Sequence, residues 1–129
     1  MKFEYIKKFE TIGIKDIPSV GGKNASLGEM IQKLTPKGVL IPSGFAITAD
    51  AYRYYLKEND LEEKIKKILS KIDRKNLQNF AKIGKKIRSI IEKGSLPEDL
   101  EKEIIQAYKD MEKEYGKNCD VAVRSSATA

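Results

Sequence analysis

Apolar positions along this chain recur mainly at helical spacing. Leu27, Met30, Ile31 and Leu34 follow a three–four rhythm. They predict a helix from Lys23 with one buried face, ended by Thr35-Pro36-Lys37-Gly38. Leu61, Ile65, Ile68, Leu69 and Ile72 make a second stripe, and Leu77, Phe80, Ile83, Ile87, Ile90 and Ile91 a third, closed by Gly94. Leu100, Ile104, Ala107, Tyr108, Met111 and Tyr115 make a fourth, ended by Gly116. All four read as core-facing. Ser95-Leu96-Pro97-Glu98 predicts the start of the last helix, with Ser95 as cap, an early proline and a glutamate three residues on. Thr48 is placed to cap a further helix over Ala49 to Leu56, which Asn59-Asp60 breaks.

Shorter apolar runs read as strands. Phe3, Tyr5, Ile6, Phe9 and Ile12 predict a strand or pair of strands within residues 3–12, before a loop marked by Gly13, Asp16 and Pro18-Ser19. Phe45 to Thr48 reads as a short strand after the turn Pro42-Ser43-Gly44. Asp120-Val121-Ala122-Val123-Arg124-Ser125-Ser126 reads as a buried strand carrying an arginine into a small-residue loop. The expected class is α+β, with short strands near both ends and a helical block over about residues 49–116. Pairing the first and last strands would bring residues 20–30 close to residue 124.

The 129 residues amount to one domain, 40% apolar and 34% charged, as in a soluble globular protein. No apolar run reaches the roughly 20 residues that cross a bilayer. The charged start, Met1 to Lys8, does not resemble a signal peptide, so a cytoplasmic location is expected. The net charge of +6 raises nucleic-acid binding as an alternative. Lysines and glutamates alternate along helical faces, however, and no aromatic residues are interleaved as a stacking platform, so a solvated surface is the better reading. Cys119 is the single cysteine and there is no histidine. That excludes an internal disulfide, a Ser-His or Cys-His pair and a histidine metal site within these residues. Cys119 itself reads as a partly buried, inert thiol.

Two features carry candidate chemistry. Gly21-Gly22-Lys23 combines residues that permit close backbone approach with a positive charge at a helix start, where free amides attract anions. Alone, this common string favours an ordinary turn before a helix, and its spacing is not that of a Walker A loop. Arg124 leaves the predicted buried strand, where a guanidinium requires a carboxylate or a phosphate, so an internal salt bridge and an anion site stay equally open. Ser125 and Ser126 add hydroxyls beside it.

Taken together and in order, Val20 to Met30, then Gly38-Val39 with Ile41 to Thr48, then Val121 to Ala129 resemble the N-terminus of the pyruvate, water dikinase (phosphoenolpyruvate synthase) family. Pyruvate phosphate dikinase and rifampicin phosphotransferase share this ATP-binding module, but Asn24 to Met30 is most similar to the synthase version. The resemblance implies an incomplete ATP-grasp-like domain over residues 1–129 that binds ATP with Mg²⁺. Lys23 matches the family's phosphate-binding lysine and Arg124 the arginine of its Val-Arg-Ser segment, with Gly21, Gly22, Ser125 and Ser126 as a supporting loop. It further implies that a histidine on a separate domain takes the phosphoryl group, and that a barrel domain holds pyruvate. No catalytic residue and no metal ligand is expected here, because the family's glycine-rich loop and acidic Mg²⁺ ligands follow its Val-Arg-Ser segment. The chain therefore reads as a fragment, cut short or interrupted. Nucleic-acid and membrane partners are not expected, and homo-oligomerisation of the full-length enzyme stays open.

Overall fold

Strand formation near the N-terminus is brief. In the computed structural model, which describes residues 1–128, β1 spans Ile6–Lys8 and gives way at once to a 3₁₀ turn over Phe9–Thr11. That turn lets Ile12 reach the core instead of continuing the alternation predicted across residues 3–12. A second 3₁₀ turn, Ile14–Asp16, leads into the one-turn helix α1 (Ile17–Val20) and then α2 (Gly22–Leu34). After a third turn, Thr35–Lys37, comes β2 (Phe45–Ile47). The helices α3 (Ala49–Glu58), α4 (Leu61–Leu69), α5 (Leu77–Glu92) and α6 (Glu98–Tyr115) complete the order. The predicted α+β class and helical block are thus seen.

The chain divides into two compact units. The first holds Met1–Tyr52 with the segment from Glu98 onward, and the second holds Arg53–Pro97. In the first unit β1 and β2 pair antiparallel, with Ile6 opposite Ile47 and Lys8 opposite Phe45. The ladder is extended by Thr48 N–H to the Tyr5 carbonyl and Phe9 N–H to the Gly44 carbonyl, both at 3.0 Å. Ile12, Val20, Ala25 and Ala46 form the core, and Phe9 and Ile17 pack against it. Thr48 caps α3 as its position predicts: its hydroxyl accepts from Ala51 N–H at 3.2 Å.

The face that α2 buries is not the predicted one. Ala25 and Gly28 are its buried residues, whereas Leu27, Ile31 and Leu34 are only partly covered and Met30 is exposed. At 3.6 residues per turn the two faces lie roughly 140° apart. The cause is a backbone that lies against the helix. A Cβ on Gly28 would overlap the Ile12 carbonyl oxygen, and Gln32 Nε2 donates to that same oxygen at 2.7 Å. Glu29 adds a further tie, accepting from Ile14 N–H at 3.0 Å through Oε1 and pairing with Lys33 at 2.8 Å through Oε2. Small side chains are selected where the main chain comes close, which a search for large apolar residues overlooks.

The last helix, α6, secures the N-terminal strand. It buries Leu100, Glu103 and Ala107. The Glu103 carboxylate accepts from Glu4 N–H at 2.6 Å and Tyr5 N–H at 2.8 Å, while Asp110 pairs with Lys8 at 3.1 Å. Gln106 and then Lys8 hold the Asp110 carboxyl below its ordinary pKa by hydrogen bonding to the charged form.

In the second unit, Asn76 caps α5 by accepting from Gln78 and Asn79 N–H groups. Leu61 is buried, but Leu77 is 82% exposed and Phe80 and Leu69 also lie open, so those three leave the predicted core stripes. Ser95 is not a helix cap. Its N–H donates to Asn59 Oδ1 at 2.9 Å and its carbonyl accepts from Asn59 Nδ2 at 3.0 Å, which fixes Ser95 in the connection, and α6 begins at Glu98, just after Pro97.

Candidate functional site

The site lies where α2 begins, in the first unit. α1 ends at Gly21, whose N–H donates to the Ile17 carbonyl at 2.8 Å. Gly21 then adopts φ 83° and ψ 164°, backbone angles that side-chain-bearing residues avoid. This redirects the chain into α2, and Ala25 N–H donates back to the Gly21 carbonyl at 3.1 Å. Asn24 fastens the junction from the side, donating from Nδ2 to the Val20 carbonyl at 2.8 Å. Lys23 therefore occupies the first turn of α2 with its side chain exposed.

The segment carrying Arg124 comes to this junction, but not as a strand. The expected buried strand over residues 120–126 is absent, and so is the expected pairing of first and last strands. β1 pairs with β2 instead, and no described strand is offered to Val121 and Val123. Both valines lie on the surface, Val123 at 93% exposure. Among the described residues, Gly22 N–H donates to the Ala127 carbonyl at 3.1 Å and ties the segment to the start of α2. It is residues 126 and 127 that come against Gly21 and Gly22.

Arg124 is exposed rather than buried, and neither it nor Lys23 forms an ion pair among the described residues. The internal salt bridge considered for Arg124 is therefore not made there. Ser125 is exposed as well. Ser126 Oγ is buried and finds no hydrogen-bond partner, an orphan that costs stability while it stays unmatched. Ala129, which closes the Val121–Ala129 motif, lies outside the described residues.

The geometry brings Gly21, Gly22, Ser126 and Ala127 into contact; Lys23 follows Gly22 in the chain and Arg124 precedes Ser126 by two residues, and neither cation is ion-paired among the described residues. Such cations, beside the first turn of a helix, suit an anion with dispersed charge such as a phosphate chain. One refinement concerns the glycines. Gly22 N–H, read from sequence as free for an anion, is used by Ala127. Sequence reasoning missed the Ala127 carbonyl altogether, since a main-chain acceptor leaves no signature in residue type.

Glu29, about two helical turns along α2 from the site, has its carboxyl held below the ordinary range by hydrogen bonds from Lys33 and the Ile14 amide. Lys33 is raised in turn by Glu29. Cys119 is a free, partly buried thiol whose carbonyl accepts from Tyr108 Oη at 2.9 Å. Among the described residues no group of three or more histidine, cysteine or acidic side chains converges.

Comparison with known proteins gives the class. Residues 17–129 match the pyruvate phosphate dikinase AMP/ATP-binding domain, and the chain belongs to that family. It is 47% identical over 121 residues to phosphoenolpyruvate synthase of Aquifex aeolicus, covering 93% of this chain and 14% of that protein. It is 48% identical over 130 residues to phosphoenolpyruvate synthase of Neisseria meningitidis, covering 100% of this chain and 16% of the relative. The probable phosphoenolpyruvate synthase of Methanocaldococcus jannaschii is 42% identical over 127 residues, 98% of this chain and 10% of that one. The chain thus spans a small part of the length of the curated relatives it matches. Among the described residues no helix is long and apolar enough to cross a membrane.

Proposed function

We propose that these residues are the N-terminal portion of a phosphoenolpyruvate synthase, and that Lys23 and Arg124 bind the phosphates of ATP. The reaction is conversion of ATP, pyruvate and water to AMP, phosphoenolpyruvate and phosphate through a phosphohistidine, a cytoplasmic step that serves gluconeogenesis. The observation that carries this reading is the Gly22 N–H···O=C Ala127 bond, which joins the Arg124 segment to the helix start bearing Lys23. Two cations on separate parts of the chain, both unpaired, suit the spread charge of a transferring phosphoryl group. Identities of 47% and 48% to phosphoenolpyruvate synthases favour this acceptor over the related dikinases and the rifampicin phosphotransferases.

In this reading the domain is ATP-grasp-like. The chain's own residues do a limited job: Lys23 and Arg124 hold and orient the phosphates, and Gly21, Gly22, Ser125 and Ser126 shape the loop around them. Mg²⁺, where bound, offsets phosphate charge, and its ligands belong to other parts of the enzyme. The phosphoryl-accepting histidine does so too, since this chain has no histidine, and in this reading pyruvate is held by a separate domain. The test is AMP formation by the full-length enzyme carrying Lys23→Ala or Arg124→Ala. Each is expected to lower the rate by about 10²–10³-fold, the scale for losing one fixed positive partner of the reacting group. Wild-type turnover in both would overturn the assignment.

A further inference from the structure

Both glycines before Lys23 would ordinarily be assigned to close approach of an anion, yet their surroundings differ. A Cβ added at Gly22 meets nothing within 4 Å. One added at Gly21 would overlap Ser126 Oγ and lie 2.8 Å from the Ala127 carbonyl oxygen and 2.9 Å from the Ser126 carbonyl carbon. The missing side chain of Gly21 is therefore a seat, and it is filled by the Arg124 segment. Three further observations meet there: the φ of 83° that only glycine adopts readily, the Gly22–Ala127 bond, and the buried hydroxyl of Ser126. The hydroxyl makes no bond at this seat, so shape rather than hydrogen bonding fits Ser126 to it.

We propose that Gly21 is a positioning residue for the nucleotide site: it seats Ser126 and Ala127 on the start of α2 and so sets where Arg124 stands relative to Lys23. This rests on the reading of Lys23 and Arg124 as ATP ligands and assigns Gly21 no contact with ATP. Any side chain at Gly21 lifts the segment, and Arg124, two residues before Ser126, moves with it. Binding of a multiply charged ligand by two cations then weakens, because a guanidinium displaced by a side chain's width no longer meets the same oxygens.

The experiment uses the full-length enzyme and reads KM for ATP, kcat at saturating ATP, and thermal midpoint. Gly21→Ala is expected to raise KM for ATP about tenfold and to lower kcat at saturating ATP as well, because the displaced guanidinium is the one assigned to the reacting phosphates. Ser126→Val, which overfills the same seat from the other side without touching the glycine backbone, is expected to do the same. Adding Ser126→Gly to Gly21→Ala removes the tightest overlap and is expected to return at least threefold of the loss. Gly116→Ala supplies the comparison for backbone strain: its φ is 102° with open space around it, so it lowers the midpoint and leaves KM for ATP unchanged. An unchanged KM in Gly21→Ala, or no recovery in the double variant, would overturn the inference. If Lys23→Ala and Arg124→Ala weaken ATP while Gly21→Ala does not, the seat alone is wrong. If all three leave ATP untouched, the nucleotide reading itself falls.

Discussion

Glu103 and Glu29 show how single carboxylates hold this fold in register. Glu103 satisfies the amides of Glu4 and Tyr5 from a buried position on α6. Replacing it with alanine strips both amides of their partner, and a loss of about 1–3 kcal/mol in local stability is expected. Hydrogen exchange of a peptide covering residues 3–8 in the full-length enzyme measures this as faster opening. Glu29 acts through charge. Its carboxyl is depressed in the folded chain by Lys33 and the Ile14 amide. It therefore binds a proton more readily unfolded than folded. Its contribution is complete above the ordinary glutamate pKa of about 4.3 and is lost as pH falls through the lower folded value. Exchange at residues 10–20 should rise in that acid window for the wild type, and Glu29→Gln should remove the pH dependence while raising exchange at neutral pH. Neither role was legible in the sequence. Both glutamates look like ordinary surface residues of a Lys/Glu-rich helix until the partner amides are placed.

At the scale of elements, the helices and the strand at Phe45–Ile47 were legible, and the pairing of the strands was not. Stripes of Leu and Ile at three–four spacing mark α4, α5 and α6, and Thr48 marks the start of α3, because those signals are local. The pairing of β1 with β2 depends on contacts some 40 residues apart, and three-residue strands carry almost no alternation to read. The same gap between local pattern and tertiary contact misplaced the buried face of α2. Two glycine substitutions separate the effects. Gly28→Ala drives a methyl into the Ile12 backbone and is expected to destabilise the first unit by about 1–3 kcal/mol. Gly84→Ala, in the middle of α5, meets only the flexible end of Arg88 at 3.2 Å and is expected to stabilise the second unit by about 0.5–1 kcal/mol. Unit-resolved hydrogen exchange reads both, and equal signs would contradict this account of α2.

Across the whole molecule, charge is distributed unevenly. Residues 53–97 hold 13 of the 25 lysines and arginines but only 6 of the 19 acids, so the basic excess belongs to the second unit. The first unit is close to neutral, and local positive charge at the candidate site comes from Lys23 and Arg124 rather than from a general basic field. The site itself was half legible. Gly21-Gly22-Lys23 and Val-Arg-Ser mark it through resemblance, whereas the seat at Gly21 and the Ala127 carbonyl required coordinates. Residues 1–129 alone are expected to show no ATP hydrolysis, and ATP binding to them at micromolar affinity by calorimetry would contradict the division of the site proposed above. The most direct test of the central claim compares ATP with adenosine, titrated into full-length wild-type, Lys23→Ala and Arg124→Ala enzyme. If these cations hold phosphates, each variant should lose at least about tenfold in ATP affinity, with adenosine affinity kept within about twofold. Equal losses for both ligands, or none for either, would contradict it.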